Sequence, residues 1–537
     1  MKTLYDNGRI YTGGRTTAEA FAVENGRFFF VGSREEGAAL GCDERVDLGG
    51  AFVCPGFNDS HMHLLNFGQF LHSAHLNEHT GSLREMLEAI RTFAGEHPPK
   101  AGQWLVGRGW NDDYFTDVGR MPSRDDLDGI SREIPIIAVR CCGHCLVANS
   151  KVLELCGVTE KTPAPAGGRI GMENGRLDGR FYDDAMELIY ARQPAPDLQR
   201  IKEMLRSACA ALNSYGVTSC QTDDYCVFRG VDWRTVNQAY RELEQSGELT
   251  VRVYEQSNFT SLARLREFVS AGCRTGAGSD RFRIGPLKML GDGSLGARTA
   301  YLSRPYADAP DMRGILIYSR QELEEMIGFA HEQGMQAAVH AIGDGCLDAV
   351  LDAYEKALTA HPRPDHRHGI VHCQISRPDQ LARIARLGLH VYAQSIFLDY
   401  DVHIVEERVG KTLAASSYSW KTLMEKGVCV SNGSDCPVEL PDVMAGIQCA
   451  VTRSSLDGKA GPFLPREAFT VSEALDSYTI RGAEASFEEE IKGRIAPGYL
   501  ADFTVLGADP FETAPAALGS IPVLAAYLEG EPVYRRA

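Results

Sequence analysis

The sequence predicts an α/β fold: a (β/α)8 TIM barrel, with a composite β-sandwich built from both chain ends and an α+β domain inserted after the first barrel strand. Three observations predict it. Short apolar or β-branched runs alternate with amphipathic helical patterns through most of the chain, several of those runs end on a metal-ligating residue type, and both ends read as strands and turns. At 537 residues the chain is too long for one ordinary core. The predicted division is residues 1–54 and 490–537 for the sandwich, 55–75 and 200–489 for the barrel, and 76–199 for the insertion.

Composition narrows the function classes. Hydrophobic residues at 44% and charged residues at 24% fit a globular protein, and no apolar run approaches the length of a membrane span. A net charge of −17 argues against a nucleic-acid surface, which calls for a basic patch. The opening MKTLYDNGRIYTGG has no apolar stretch behind its lysine, so the expectation is no secretory signal and a cytoplasmic protein. The 15 cysteines lack framework spacing and suit free thiols. Cys141-Cys142-Gly143-His144-Cys145 has the dithiol pattern of oxidoreductases, but it sits deep in a long chain without a small thioredoxin-like unit around it.

In chain order, Phe21 to Phe30 reads as a hairpin turning at Asn25-Gly26, a pair suited to positive φ. The last 45 residues have the same texture, with strands at Ala501 to Leu506 and Val523 to Leu528 and a turn at Glu529-Gly530-Glu531. Two or three strands are marginal alone in water, so the ends are expected to meet in one body. Between them, the strand ending at His61 is joined by Thr218 to Thr222, Thr250 to Glu255, Phe282 to Leu290, Gln336 to His340, Gly369 to His372, His390 to Gln394 and Val428 to Asp435. Helical patterns at Gln321 to Gln333, Leu347 to Ala360 and Pro378 to Leu387 separate the later strands. No Gly-rich dinucleotide fingerprint follows the first strand, which disfavours an open doubly wound sheet. The insertion is expected to hold a helix at Leu83 to Ala94, strands at Trp104 to Val106 and Ile134 to Val139, and a Gly/Pro-rich loop from Pro163 to Gly179. It would hang from the catalytic face as a lid or pocket wall.

The candidate chemistry lies at strand ends, where a barrel presents its active site. His61 and His63, in PGFNDSHMH, share a face of an extended strand and can reach one metal ion, although a surface pair is the plainer reading of His-x-His alone. His340 and His372 each close a short apolar strand; a satisfied core histidine is the alternative for either. Asp435 ends the last strand, although a helix cap for the segment that follows is the common role of such an aspartate. Lys288 interrupts an apolar strand. Its head either reaches water at the strand end or is buried, and a buried neutral amine can add carbon dioxide to become an anionic carbamate.

Taken together, PGFNDSHMHL, LKMLGDGSLGARTA, AVHAIGDG, IVHCQIS, SNGSDCPVE and GRIAPGYLADFTVL resemble the amidohydrolase superfamily over nearly the whole chain, and within it the branch that includes N-substituted formamide deformylases. The resemblance implies that His61, His63 and Asp435 hold a more buried divalent metal and that His340 and His372 hold a more exposed one. Carbamylated Lys288 and a hydroxide would bridge the two. One or two ions are implied, zinc foremost. Asp435 would serve as general base and acid in hydrolysis of a carbon–nitrogen bond of a small non-peptide amide, an N-substituted formamide or N-acyl compound. His144 and Asn149 match a His and an Asn of the branch and imply a substrate-facing or oxyanion role for His144. Gly109-Trp110-Asn111 resembles a branch motif that would put Trp110 on the pocket wall, with core packing as its alternative. Arg298 could meet an acidic substrate group, with an ion pair to Asp292 the more expected use.

Two rival classes fit the sequence less well. A mononuclear deaminase of the superfamily commonly carries a Glu three residues after the fifth-strand histidine, whereas Ala341-Ile342-Gly343 follow His340 here. A non-catalytic barrel scaffold would have lost ligands, whereas all six ligand types remain. A homodimer is the expectation from the general prevalence of dimers among enzymes.

Overall fold

A computed structural model describes residues 1–14, 16–100 and 102–537. Eight parallel strands form one sheet in sequence order. They are β1 (Phe57–Met62), β2 (Val217–Thr222), β3 (Arg252–Asn258), β4 (Phe282–Leu290), β5 (Ala337–Ala341), β6 (Gly369–His372), β7 (His390–Ala393) and β8 (Val430–Asn432). Nearly every residue in them is buried, as expected for strands covered on both faces. Just past the strand ends the first and last members meet. The Asp435 amide donates to the His61 carbonyl at 2.9 Å, and the His63 amide donates to the Cys436 carbonyl at 2.8 Å. A Cβ on Gly433 would lie 2.5 Å from the His61 nitrogen, so this seam admits only glycine.

Helices intervene where the sequence places them, at Arg320–Glu332, Asp344–Ala360 and Pro378–Leu387. Ser319 opens the first with a reciprocal box to Glu322. Pro378 starts the third, and Gly388 at φ 64° ends it.

Both chain ends share a second sheet. Its strand order is Glu531–Arg535, Val523–Leu528, Phe503–Leu506, Phe52–Pro55, Lys2–Gly13, Thr16–Glu24, Arg27–Gly32, with Glu44–Asp47 paired to Lys2–Gly13. The expected sandwich is therefore one hydrogen-bonded sheet. It curls far enough that its own face becomes its core. Tyr5 and Tyr527 lie on strands three places apart in the order, yet their ring centroids are 5.9 Å apart. Phe21 and Phe503 fill the space between them, each within 5.2 Å of the Tyr5 ring.

This sheet and the barrel belong to one compact unit, residues 1–66, 205–227 and 231–537. Arg252 at the start of β3 ties them. Its guanidinium is 2% exposed and donates to Asp502 at 2.6 and 3.0 Å and to Glu529 at 2.9 Å. A buried cation held by two carboxylates is stable only with both partners in place.

The other compact unit is residues 67–204 with 228–230, wider than the expected 76–199. Its sheet order is Gly168–Glu173, Arg176–Asp183, Cys145–Ala148, Ile136–Arg140, Leu105–Trp110, Ala74–His75, and the helix Leu83–Glu96 belongs to the same core. The expected loop from 163 to 179 is corrected here. Gly168–Glu173 and Arg176–Asp183 form a hairpin whose turn, Asn174-Gly175, takes positive φ at both positions.

Candidate metal centre

The C-terminal ends of β1, β4, β6 and β8 bring His61, His63, Lys288, His372 and Asp435 together. Ligand atoms of His61, His372 and Asp435 all lie within 4.8 Å of one another, and all three residues are buried. Asp435 Oδ1 is 3.2 Å from His61 Nε2 and 3.0 Å from His63 Nε2. Lys288 Nζ is 3.5 Å from His61 Nε2. His372 and Asp435 take φ values of 73° and 60°, a left-handed backbone that costs energy for residues other than glycine and collects at working sites.

The surroundings determine which ring nitrogen faces inward. Gln256 gives its amide N–H to the Ser60 carbonyl at 3.2 Å, so it can present only oxygen to His61 Nδ1, 2.8 Å away. Gln394 gives its amide N–H to the Tyr392 carbonyl at 3.0 Å and presents its oxygen to His372 Nδ1 at 2.7 Å. Both imidazoles therefore donate from Nδ1 and keep the Nε2 lone pair for the centre. In neutral His61 that lone pair points at a carboxylate oxygen 3.2 Å away with no proton between them.

Such an arrangement suits a cation. Ligand atoms about 2.1 Å from one ion are separated by about 3.0–3.4 Å, and Asp435 Oδ1 lies at that spacing from His61 Nε2 and His63 Nε2. The donor set of imidazoles and a carboxylate suits zinc and several neighbouring divalent metals.

Electrostatics separates the two histidines of the His-x-His motif. Burial, followed by the nearby Lys288 ammonium, holds the His61 imidazole down to about 4. Burial also opposes charge on His63, but the carboxylates of Asp223 and Asp435 outweigh it and raise that imidazole to about 10. Burial disfavours the Asp435 carboxylate, yet contacts with His61 and His63 hold it well below the usual range.

Sequence reasoning missed Asp223. It follows β2 directly, with Oδ1 on His63 Nδ1 and Oδ2 2.9 Å from Lys288 Nζ. Thr222-Asp223-Asp224 was the available signal, because it ends a barrel strand with carboxylates just as β5 and β6 end with imidazoles.

A profile of the amidohydrolase family matches residues 44–534. The chain belongs to that family. This amidohydrolase is 33% identical to YtcJ of Bacillus subtilis, a protein named as an amidohydrolase, over 100% of both chains. It is 27% identical to the N-substituted formamide deformylase of Arthrobacter pascens, over 99% of this chain and 97% of that one. Among solved structures, an uncharacterized metal-dependent hydrolase of Pyrococcus horikoshii superposes with a TM-score of 0.80 at 28% identity, covering 96% of this chain and 99% of that chain. The family and these neighbours make the chain a metal-dependent hydrolase.

Not every expected site residue of this amidohydrolase joins the centre. The His340 ring packs edge-on against His372 at 4.4 Å, but its Nε2 turns to the Gly293 carbonyl at 3.2 Å and to Asp292 at 3.3 Å. Arg298 does not pair with Asp292, which is occupied by the backbone amides of Tyr301, Ile342 and Gly343. Arg298 instead reaches Asp308 at 2.6 Å, where Arg408 also binds.

In the insertion, Trp110 has the core role and not the pocket one, with its indole N–H on the Ala138 carbonyl at 3.0 Å. Asn149 caps the helix Ser150–Cys156. It accepts from Ile136 and Val152 and donates to Ser131 and Ile134, so it has no free hydrogen bond for a substrate. His144 is exposed and meets Asp183 at 3.0 Å. All 15 cysteines are free, Cys141 and Cys142 on the surface and Cys145 buried.

Proposed function

We propose that this amidohydrolase cleaves the carbon–nitrogen bond of a small non-peptide amide, with N-substituted formamides and N-acyl compounds as the leading classes. The observation that carries the reading is the convergence of His61, His372 and Asp435 donor atoms at the C-terminal end of the barrel strands. His61, His63 and Asp435 would hold one divalent ion, zinc by preference. His372, with His340 turned inward, would hold a second. A divalent ion bound there supplies acidified water and a polarised substrate carbonyl.

The chain's own part is proton handling and placement. Both imidazole contacts of Asp435 fall on Oδ1. Oδ2 is therefore assigned to take a proton from the attacking water as the carbon–oxygen bond forms, and to return it to the nitrogen as the carbon–nitrogen bond breaks. Lys288 is assigned a carbamate. Its nitrogen would keep one N–H, and Asp223 Oδ2 could still accept it, so the pairing seen here suits either form. His144 is assigned to the substrate on the strength of the resemblance.

The test is a hydrolysis screen of formamides, N-acyl amino acids and cyclic amides, with metal-free and zinc-reconstituted protein compared. Turnover confined to the reconstituted protein and to carbon–nitrogen bonds supports the proposal. Fully loaded protein that cleaves none of them, or cleaves only esters, overturns it.

A further inference from the structure

His63 differs from the other two inward-facing histidines in what stands behind it. His61 and His372 are each backed by a neutral amide, whereas His63 Nδ1 meets the Asp223 carboxylate. Asp223 is 2% exposed in its side chain and comes from β2, while His63 follows β1 and Lys288 lies on β4. One carboxylate thus joins β1 and β2, which are neighbours, to β4, which lies beyond β3.

We propose that Asp223 is the positioning residue for His63, holding a proton on Nδ1 so that Nε2 is the nitrogen turned toward Asp435 and left to bind a metal. A carboxylate can only accept, so the nitrogen facing it must carry hydrogen. Lys288 Nζ can only donate, and at 2.9 Å it occupies Oδ2. Asp223 therefore cannot turn without leaving the buried Lys288 N–H unpaired. The orientation of His63 is secured by the lysine through the aspartate, a link between a ligand on β1 and a group on β4 that neither motif displays alone. The negative charge also makes His63 a stronger electron donor to a metal, as carboxylates behind zinc-bound histidines do.

Asp223→Asn separates this from a merely structural role, because it keeps the size of the side chain and an acceptor for Lys288. Its amide oxygen would stay with Lys288, and its N–H2 would turn to His63 Nδ1. The imidazole would then carry its proton on Nε2, where it cannot bind a metal. The inference rests on reading His63 as a ligand and is independent of which bond the enzyme cleaves.

The measurement is two-bond nitrogen–proton NMR of the His63 ring in zinc-loaded wild-type and variant protein, together with zinc affinity by competition against a chelator dye. The expected result is an Nδ1 proton in wild type, an Nε2 proton in D223N and zinc affinity reduced about 10–100-fold, with a lowered thermal midpoint because Lys288 loses its buried carboxylate partner. A D223N protein that keeps the Nδ1 proton and binds zinc within about twofold of wild type overturns the proposal. So does an Nε2 proton in zinc-loaded wild type, a result that does not depend on whether the variant folds.

Discussion

Lys288 and Asp223 form an ion pair at 2.9 Å with side chains only 1% and 2% exposed. Its members continue into a closed ring, from Asp223 to His63, on to Asp435, to His61, and back to Lys288 at 3.5 Å. Two carboxylates, two imidazoles and one amine thus crowd one place, and the Asp435–His61 contact is the one with no proton in it. The lysine that stands out in an apolar strand is buried because it has this partner, and it does not reach water at the strand end.

Lys288→Ala should therefore damage two properties at once. It leaves the buried Asp223 Oδ2 without the N–H that Lys288 gives it in either form, a loss on the order of 1–3 kcal/mol for an unsatisfied buried acceptor. It also removes the group assigned as bridge, so zinc per chain and kcat should fall together, with kcat down at least about 100-fold. Short carboxylic acids that fit the gap should restore part of the rate. Elemental analysis beside steady-state kinetics is the check, and wild-type turnover in the variant without added acid would contradict the bridge.

The barrel seam is equally intolerant of volume. Gly433 lies where a Cβ would be 2.5 Å from the His61 nitrogen, 2.7 Å from its carbonyl oxygen and 2.6 Å from Asp59 Oδ1. Gly433→Ala should force β1 and β8 apart and cost about 1–3 kcal/mol, seen as a lower urea midpoint. Because His61 and Asp435 stand on either side of the seam, zinc should dissociate faster from this variant. Unchanged zinc retention would show that ligand placement does not depend on closure.

How much of this was legible in the sequence follows from the range of the interactions. β6 ends on His372 as expected, and β8 stops at Asn432, three residues short of the expected end at Asp435, because periodicity and strand-end chemistry are local signals and exact strand ends are not. Asp223 was not legible as a site residue, since its partners lie 160 positions back and 65 positions on and only barrel closure unites them. The expected Arg298–Asp292 pair does not form, because the Arg298 backbone turns at φ 58° and its guanidinium reaches Asp308. At Asn174-Gly175, the density of glycine and proline nearby hid a turn signal of the same kind that was read correctly at Asn25-Gly26.

His144→Ala tests the assignment that geometry supports least. The ring is exposed, and its pairing with Asp183 is of the surface type, which contributes about 0–1 kcal/mol. The variant should therefore fold with a wild-type melting midpoint and full zinc content. If His144 faces substrate, kcat/KM should fall about 10–100-fold, the range expected when one positioned acid, base or donor is removed. Wild-type kinetics would remove His144 from the site, and loss of zinc would make it a determinant of the fold.

Acid should destabilise the protein through a second group of histidines, outside the metal centre. The Ala337 amide donates to His368 Nδ1 at 2.9 Å, which places the His368 proton on Nε2, 2.9 Å from His331 Nδ1. His331 Nε2 then donates to the His361 carbonyl at 2.6 Å. The His368 amide donates to His366 Nδ1 at 2.9 Å, and His366 Nε2 donates to the Leu387 carbonyl at 3.0 Å. Every ring nitrogen of the three is committed in the neutral form, and burial holds all three below the ordinary imidazole value, His368 furthest. The unfolded chain takes up these protons near pH 6.5, and the folded chain does so only at lower pH. Below about pH 6.5 the unfolded state therefore binds more protons, so stability rises with pH through that window and is lost as pH falls. His368 alone contributes up to about 1.4 kcal/mol per pH unit there. Urea midpoints measured from about pH 7 to about pH 5 should decline, and His368→Gln should flatten the slope. Equal slopes in wild type and variant would assign the acid sensitivity to other groups.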